Sequence, residues 1–536
     1  MTTSNNNHEM TALRAIYFRV HEFYEIDYED IKTVVDRNPE FAYALIKLME
    51  YDLDSFTMPN PFLIVLFLTL AAKRYDKFIE FLNKGVQHNN KFMRLYSYMG
   101  LYLFGHEQYY KNIVKILTEE CYANDRMYII DLIGSLKIKE LSPILDSTIQ
   151  DFSSLIKMLT ISTLHKLEQP INYELLYKVI SGAKGPSRIG CIAFLDSIKS
   201  DATIQLLRDM LDKDESAVAK NYIIRTIGRI GELDDCKLIA KLLKQDIDEE
   251  MRDSIIQALA DIVYRARNSE KANNELNDEI KHYGEVIYEN ITKKKELHVY
   301  DIMNLGKSGD PRALEVILNC LNIHDANIDD LLKGLLYLGD RDKFNEMVAY
   351  YTNEDYYWVQ DISMEVFTAL DKELINVLFD KYPHRFNERF IYIALMNDKI
   401  DSSHSLTRVL YDNYINDGIK MLAIDRLLQK NIENKNDIIM DWLRSCLVNK
   451  KVVYSSQLIE YTMIALKAYS PDSSMDFFSK LLHEFKFKYN EDIISGIWIA
   501  LLLFNDESSS SFYSNNKDIF DRYLYNKNKG PKMITM

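Results

Sequence analysis

The feature that most constrains this chain is a helical pattern that returns at a constant interval. Leu195, Ile227 and Leu259 stand 32 apart, as do Ile198, Ile230 and Ile262. On the segment that follows, Leu206, Leu207, Met210 and Leu211 return at that same interval as Leu238, Ile239, Leu242 and Leu243. Within each segment these apolar positions recur three or four residues apart, which keeps them on one side of a helix. A period holding two such faces describes a helix pair that cannot bury its apolar side alone and must stack on a neighbour. Composition agrees: the 536 residues include only 17 glycines and 10 prolines, against roughly 64 at average usage. A turn-rich β chain needs those residues at every corner. Hydrophobic residues at 47%, with 36 Tyr and 24 Phe, supply a continuous core.

The phase returns further along. Leu305 to Leu318 reads LGKSGDPRALEVIL, and its Gly309-Asp310 step recurs as Gly339-Asp340 after nearly the same interval. A Gly-Asp step suits a helix that ends on a left-handed glycine, with aspartate capping the next. Together with TIGRIGELDDCKLIAKLL (Thr226 to Leu243), these lines resemble HEAT repeats of the short bacterial kind, also seen in phycobilisome-lyase-like proteins. The resemblance is clear over Ser187 to Ile262 and Ile302 to Tyr350, and weaker in Asp131 to Leu145 and Ala465 to Leu482. It implies an all-α, right-handed superhelical α-solenoid of roughly a dozen HEAT-like helix pairs, and it specifies almost no function.

The expected organisation is an atypical helical N-terminal cap over 1–120, HEAT-like repeats over 121–267, an inserted long helix within 268–298, repeats over 299–504, and a terminal segment 505–536. Leu276, Ile280, Tyr283, Ile287 and Ile291 keep helical spacing through the insert. Asn505 to Asn515 (NDESSSSFYSN) reads as a loop, followed by a last helix and a basic tail. The apolar run Phe62 to Ala72 (FLIVLFLTLAA) falls well short of the roughly 20 positions that span a bilayer, so it reads as a buried helix.

Lys and Arg total 65 against 80 Asp and Glu, a net charge of −15 that opposes diffuse attraction to nucleic acid or anionic lipid. The five cysteines form no Cys-x-x-Cys pair, a sparse usage that fits a reducing compartment. The opening MTTSNNNHEM shows neither the basic nor the apolar region of a secretory signal. The expectation is a cytoplasmic protein with no membrane association.

Catalytic signatures are missing or explained by the repeat. Gly306-Lys307-Ser308 mimics the end of a phosphate-binding loop, but its first glycine would fall at Asp301. His-Glu dyads begin at His8, His21, His106 and His483. Deoxyhypusine hydroxylase, a HEAT-like di-iron enzyme, uses such dyads in equivalent repeat positions, whereas these share no common phase. No cofactor and no metal site is expected. The acidic runs Asp325 to Asp330 and Asp246 to Glu250 read as helix caps meeting water. Asp355-Tyr356-Tyr357-Trp358 with Asp361 is the nearest local match to the aromatic and carboxylate lining of HEAT-like alkylpurine DNA glycosylases. Tyr356, Tyr357 and Trp358 are kept as a candidate aromatic interface.

One local charge anomaly remains. Lys220, Arg225, Arg229, Lys237, Lys241 and Lys244 face only Glu232, Asp234 and Asp235 between Ala217 and Gln245. Lys237, Lys241 and Lys244 fall at i, i+4 and i+7 on a second helix. In HEAT-like arrays second helices commonly line the concave surface, so Lys237, Lys241, Lys244, Arg225 and Arg229 form a candidate basic face for an acidic partner or a phosphate backbone. The expected function is a non-catalytic scaffold or adaptor that holds a protein partner on its concave face. The competing reading is a nucleic-acid-associated protein, either a DNA-binding subunit or a HEAT-like DNA-modifying enzyme. A lyase-type chaperone role rests on repeat analogy alone.

Overall fold

A computed structural model describes residues 10, 28–48, 61–213, 216–269, 274–320, 328–354, 362–381, 386, 388–429, 434–447, 451–452, 454–484, 491–504 and 506–527. All regular secondary structure among them is helical, in 31 α-helices with short 3-10 and π turns. The chain divides into two compact units, one continuous over Leu117–Ala369 and one formed by Met1–Ile116 with Leu370–Met536.

The continuous unit contains the clearest repeats. Its eight consecutive helices from Ala217 are α1 (Ala217–Ile230), α2 (Leu233–Leu242), α3 (Glu249–Arg267), α4 (Asn274–Thr292), α5 (Val299–Ser308), α6 (Ala313–Asn319), α7 (Ile328–Leu338) and α8 (Arg341–Glu354). First helices pack on first helices: α1 on α3, α3 on α5 and α5 on α7. Ahead of them Ala123–Leu136, Ser154–Lys166 and Pro186–Phe194 stack in the same way. The second helices α4 and α6 lie against the first helices on either side, α2 lies against α3, and the second helices hardly touch one another. The long helix α4 occupies such a second position, packed on both α3 and α5.

The repeated positions explain this stacking. Leu195, Ile227 and Leu259 are fully buried, and each such side chain contributes about 1.5–3 kcal/mol on leaving water. Backbone approach is set by small residues. A Cβ on Gly228 would come within 2.6 Å of Ala258 Cα, and one on Gly306 within 2.2 Å of the Gly334 carbonyl oxygen. Only glycine lets α1 approach α3, and α5 approach α7, this closely.

Caps define where each helix starts and stops. Ser216 accepts from Ala219 N (3.3 Å) to open α1, and Asp248 accepts from Met251 N (2.7 Å) to open α3. The Gly-Asp turns adopt the expected form. Gly309 and Gly339 have φ of 68° and 87°, while Asp310 Oδ1 accepts from Arg312 N (2.9 Å) and Asp340 Oδ1 from Lys343 N (3.0 Å). At the C-terminal ends, arginines from α3 reach carbonyls that helix geometry leaves unpaired. Arg265 donates to Gly228 O (2.6 Å) and Gly231 O (2.7 Å), and Arg267 to Gly306 O (3.3 Å), Lys307 O (3.2 Å) and Leu338 O (3.0 Å). These bonds gather the C-termini of α1, α5 and α7 around that of α3, so the four first helices run parallel.

The second unit joins the two ends of the chain. Helix Pro39–Leu48 packs on Glu491–Leu503, with the Phe41 and Phe504 rings 5.8 Å apart. The apolar run forms the buried helix Pro61–Ala72, against which Phe78 stands edge-on to Phe67 at 4.8 Å. The Asn505–Asn515 segment is corrected: Glu507–Asn515 is a helix, because Asp506 caps it by accepting from Ser509 N (2.7 Å). Phe512 then packs on Phe478. Serine-rich composition read as a loop is here a capped helix with one buried face.

Candidate functional site

The basic residues read as one face occupy different surroundings. Lys237 and Lys241 are exposed on α2, and Lys244 is exposed just beyond its end, on the more loosely packed layer of second helices. Arg229, on α1, is exposed and pairs with Asp196 at 3.1 Å. Arg225, also on α1, is half-buried and turns toward α3, where its Nε donates to Ser254 Oγ at 3.2 Å. Tyr356, Tyr357, Trp358, Asp355 and Asp361 lie outside the described residues.

Arg225 lines a cleft of about 390 Å³ across the exposed side of α1, α3 and α5. The N-terminal half of α3 contributes Glu250, Asp253 and Gln257. The segment entering α5 and its first turns contribute Lys294, His298, Asp301 and Asn304. Tyr300, 67% exposed, also lines the cleft.

The charges of the cleft are not equivalent. Lys294 Nζ donates to Asp253 (2.7 Å) and to the buried Asp301 (2.8 Å). Burial alone would lower the Lys294 pKa, but the hydrogen bonds to Asp253 and Asp301 outweigh it and hold the ammonium above its ordinary value. Asp301 Oδ2 also accepts from His298 N (2.9 Å), fixing the start of α5. Among the described residues Arg225 has no carboxylate within ion-pair distance, and Asn304 makes no side-chain hydrogen bond.

Two of the sequence-level features have other roles. Asp329 and Asp330 in the first turn of α7 are 6% and 8% exposed rather than open to water. Burial, followed by the neighbouring Asp329, raises the Asp330 pKa. All five cysteines are buried free thiols. Burial pushes Cys191 up to about 11 and Cys236 and Cys446 up to about 12, so these thiols stay protonated and unreactive near neutrality. Among the described residues no three His, Cys, Asp or Glu side chains converge as a metal site. No described helix is long and apolar enough to cross a membrane.

Sequence reasoning found Arg225 but missed most of its cleft. Gln257 was accessible, since it follows Arg225 by the same interval that separates Ile227 from Leu259 and therefore shares its repeat register. Lys294 and His298 belong to the connection before α5, outside the repeat phase, where periodicity carries no signal.

Fold and site together define an all-α protein whose helices pack against their chain neighbours, an arrangement compatible with a helical repeat protein. No protein-family model matches the chain, and no curated protein matches it.

Proposed function

We propose that this chain is a right-handed, HEAT-like α-solenoid acting as a non-catalytic scaffold or adaptor, with a protein partner held on the concave face of the array. In this reading the concave face belongs to the first helices rather than to the second helices that the HEAT resemblance implies, because first helices pack closely on one another and the inner side of a curved double layer is the more crowded one. The observation that carries the reading is the cleft across α1, α3 and α5, where cations, carboxylates and amides are interleaved. Such a lining matches the mixed chemistry of a polypeptide. A nucleic-acid backbone would meet Glu250, Asp253 and Asp301 in the same cleft, and it needs cations from several successive repeats. The exposed Lys237, Lys241 and Lys244 come from one repeat.

Tagged purification of the full chain from its native cell, with and without nuclease, tests the proposal by mass spectrometry of what co-purifies. A stoichiometric protein that survives nuclease is the expected result. Loss of every partner on nuclease treatment, or recovery of nucleic acid alone, would refute the adaptor function and favour the nucleic-acid reading.

A further inference from the structure

We infer that the α1–α3–α5 cleft is a peptide-docking site that takes an extended segment of the partner by two contacts: a carboxylate side chain on Arg225 and a main-chain amide on Asn304. The inference rests on the adaptor reading and specifies the chemistry of its partner.

The two contacts follow from what each group lacks. Asn304 lies on α5, one helical turn beyond Asp301, and lines the cleft. It is only 6% exposed, and its side-chain amide has no hydrogen-bond partner among the described residues. Its polar atoms open on the cleft, where a bound peptide unit takes the place of the water they otherwise meet. An amide both donates and accepts, which is the complement of a peptide unit. Gln257 is half-buried on the facing side of α3 and offers a second amide to the same segment.

Arg225 sets the sign of the anchor. Its Nε is taken by Ser254 Oγ, while Tyr222 lies beneath the guanidinium at 6.0 Å. The terminal nitrogens therefore remain for a carboxylate, which a guanidinium receives bidentately. The other cation of the cleft is committed, since Lys294 bridges Asp253 and Asp301. One unpaired cation accepts one carboxylate, whereas Glu250, Asp253 and Asp301 repel a continuous polyanion. Exposed Tyr300 at the rim gives the segment an aromatic surface on which to lie.

A phage-displayed library of random dodecapeptides, selected on the full-length chain, provides the test. Selected peptides are expected to share one Asp or Glu. Arg225→Glu should weaken them about tenfold or more, the loss of one charge-assisted contact, and replacing the shared acid by Lys should restore binding to that variant. Asn304→Leu should weaken acidic and neutral-anchored peptides alike. If Asn304→Leu unfolds by circular dichroism, Arg225→Gln and the charge swap carry the test. Peptides that bind both variants as they bind the natural chain would overturn the cleft assignment and leave the adaptor reading standing. So would selection without an acidic position, or failure to select any peptide. Displacement of the peptides by a 20-base single-stranded DNA that binds independently of Arg225 would also overturn it. The adaptor reading itself fails separately, through loss of protein partners from native cells.

Discussion

Replacing Gly306 by alanine sets two effects of known sign against each other. In an exposed helix the change would stabilise by about 0.5–1 kcal/mol, because glycine has more freedom to lose on folding. Here the new Cβ would stand 2.2 Å from the Gly334 carbonyl oxygen and 3.0 Å from that residue's Cα and carbonyl carbon, well inside ordinary contact. The obstacle is backbone, so no rotamer change relieves it and α5 must move off α7. Overpacking of this kind costs about 1–3 kcal/mol, and with a backbone obstacle the upper part of that range applies. The expected net effect is a loss of about 1–2 kcal/mol. Gly182 is the control: a Cβ there meets nothing within 4 Å, so Gly182→Ala should be neutral or stabilising by a few tenths of a kcal/mol. Urea unfolding of both variants, followed by far-UV circular dichroism, reads the difference in midpoint. A Gly306→Ala chain that unfolds at the natural midpoint or later would refute the close approach of α5 to α7.

Three further substitutions test other parts of the structure. Arg267→Ala removes donors to carbonyls at the ends of α5 and α7 and should cost about 1–3 kcal/mol; hydrogen exchange should quicken around Gly309 and Gly339, and unchanged exchange there would deny the bracing role. Leu259→Asp places a carboxylate at a fully buried position and should cost at least about 3 kcal/mol, so an unshifted melting curve would contradict the repeat register. Asp330 has its folded pKa raised by burial and by Asp329, so its charged form opposes folding at neutral pH. Asp330→Asn should therefore melt higher than the natural chain near pH 7, with the advantage disappearing as pH falls through the raised value toward the ordinary carboxylate range. A variant that melts lower at neutral pH would refute that sign.

How far the sequence reached depends on the kind of interaction. The helix pairs between Arg188 and Ile262 were legible because burial at Leu195, Ile227 and Leu259 repeats at a constant interval. The Gly309 and Gly339 turns were legible because left-handed backbone singles out glycine. The helix Glu507–Asn515 was not, since four successive serines carry no apolar period and its start rests on one Asp506 cap. Packing of Pro39–Leu48 on Glu491–Leu503 joins opposite ends of the chain, a separation at which a local repeat pattern says nothing. The candidate basic face illustrates a different limit. Counting charges grouped Arg225 and Arg229 with the lysines of α2, but pairing divides them: Asp196 engages Arg229, and Arg225 turns into a cleft beside Asn304. Pairing and burial arise from three-dimensional neighbours, so neither the unpartnered Asn304 nor the doubly paired Lys294 stood out along the chain.

The most direct measurement of the central claim is hydrogen–deuterium exchange of the full chain with and without the protein that co-purifies with it. The proposed docking predicts slowed exchange over residues 249–257 and 298–304, with residues 237–244 unchanged. Protection confined to α2, or no protection along α3 and α5, would contradict it.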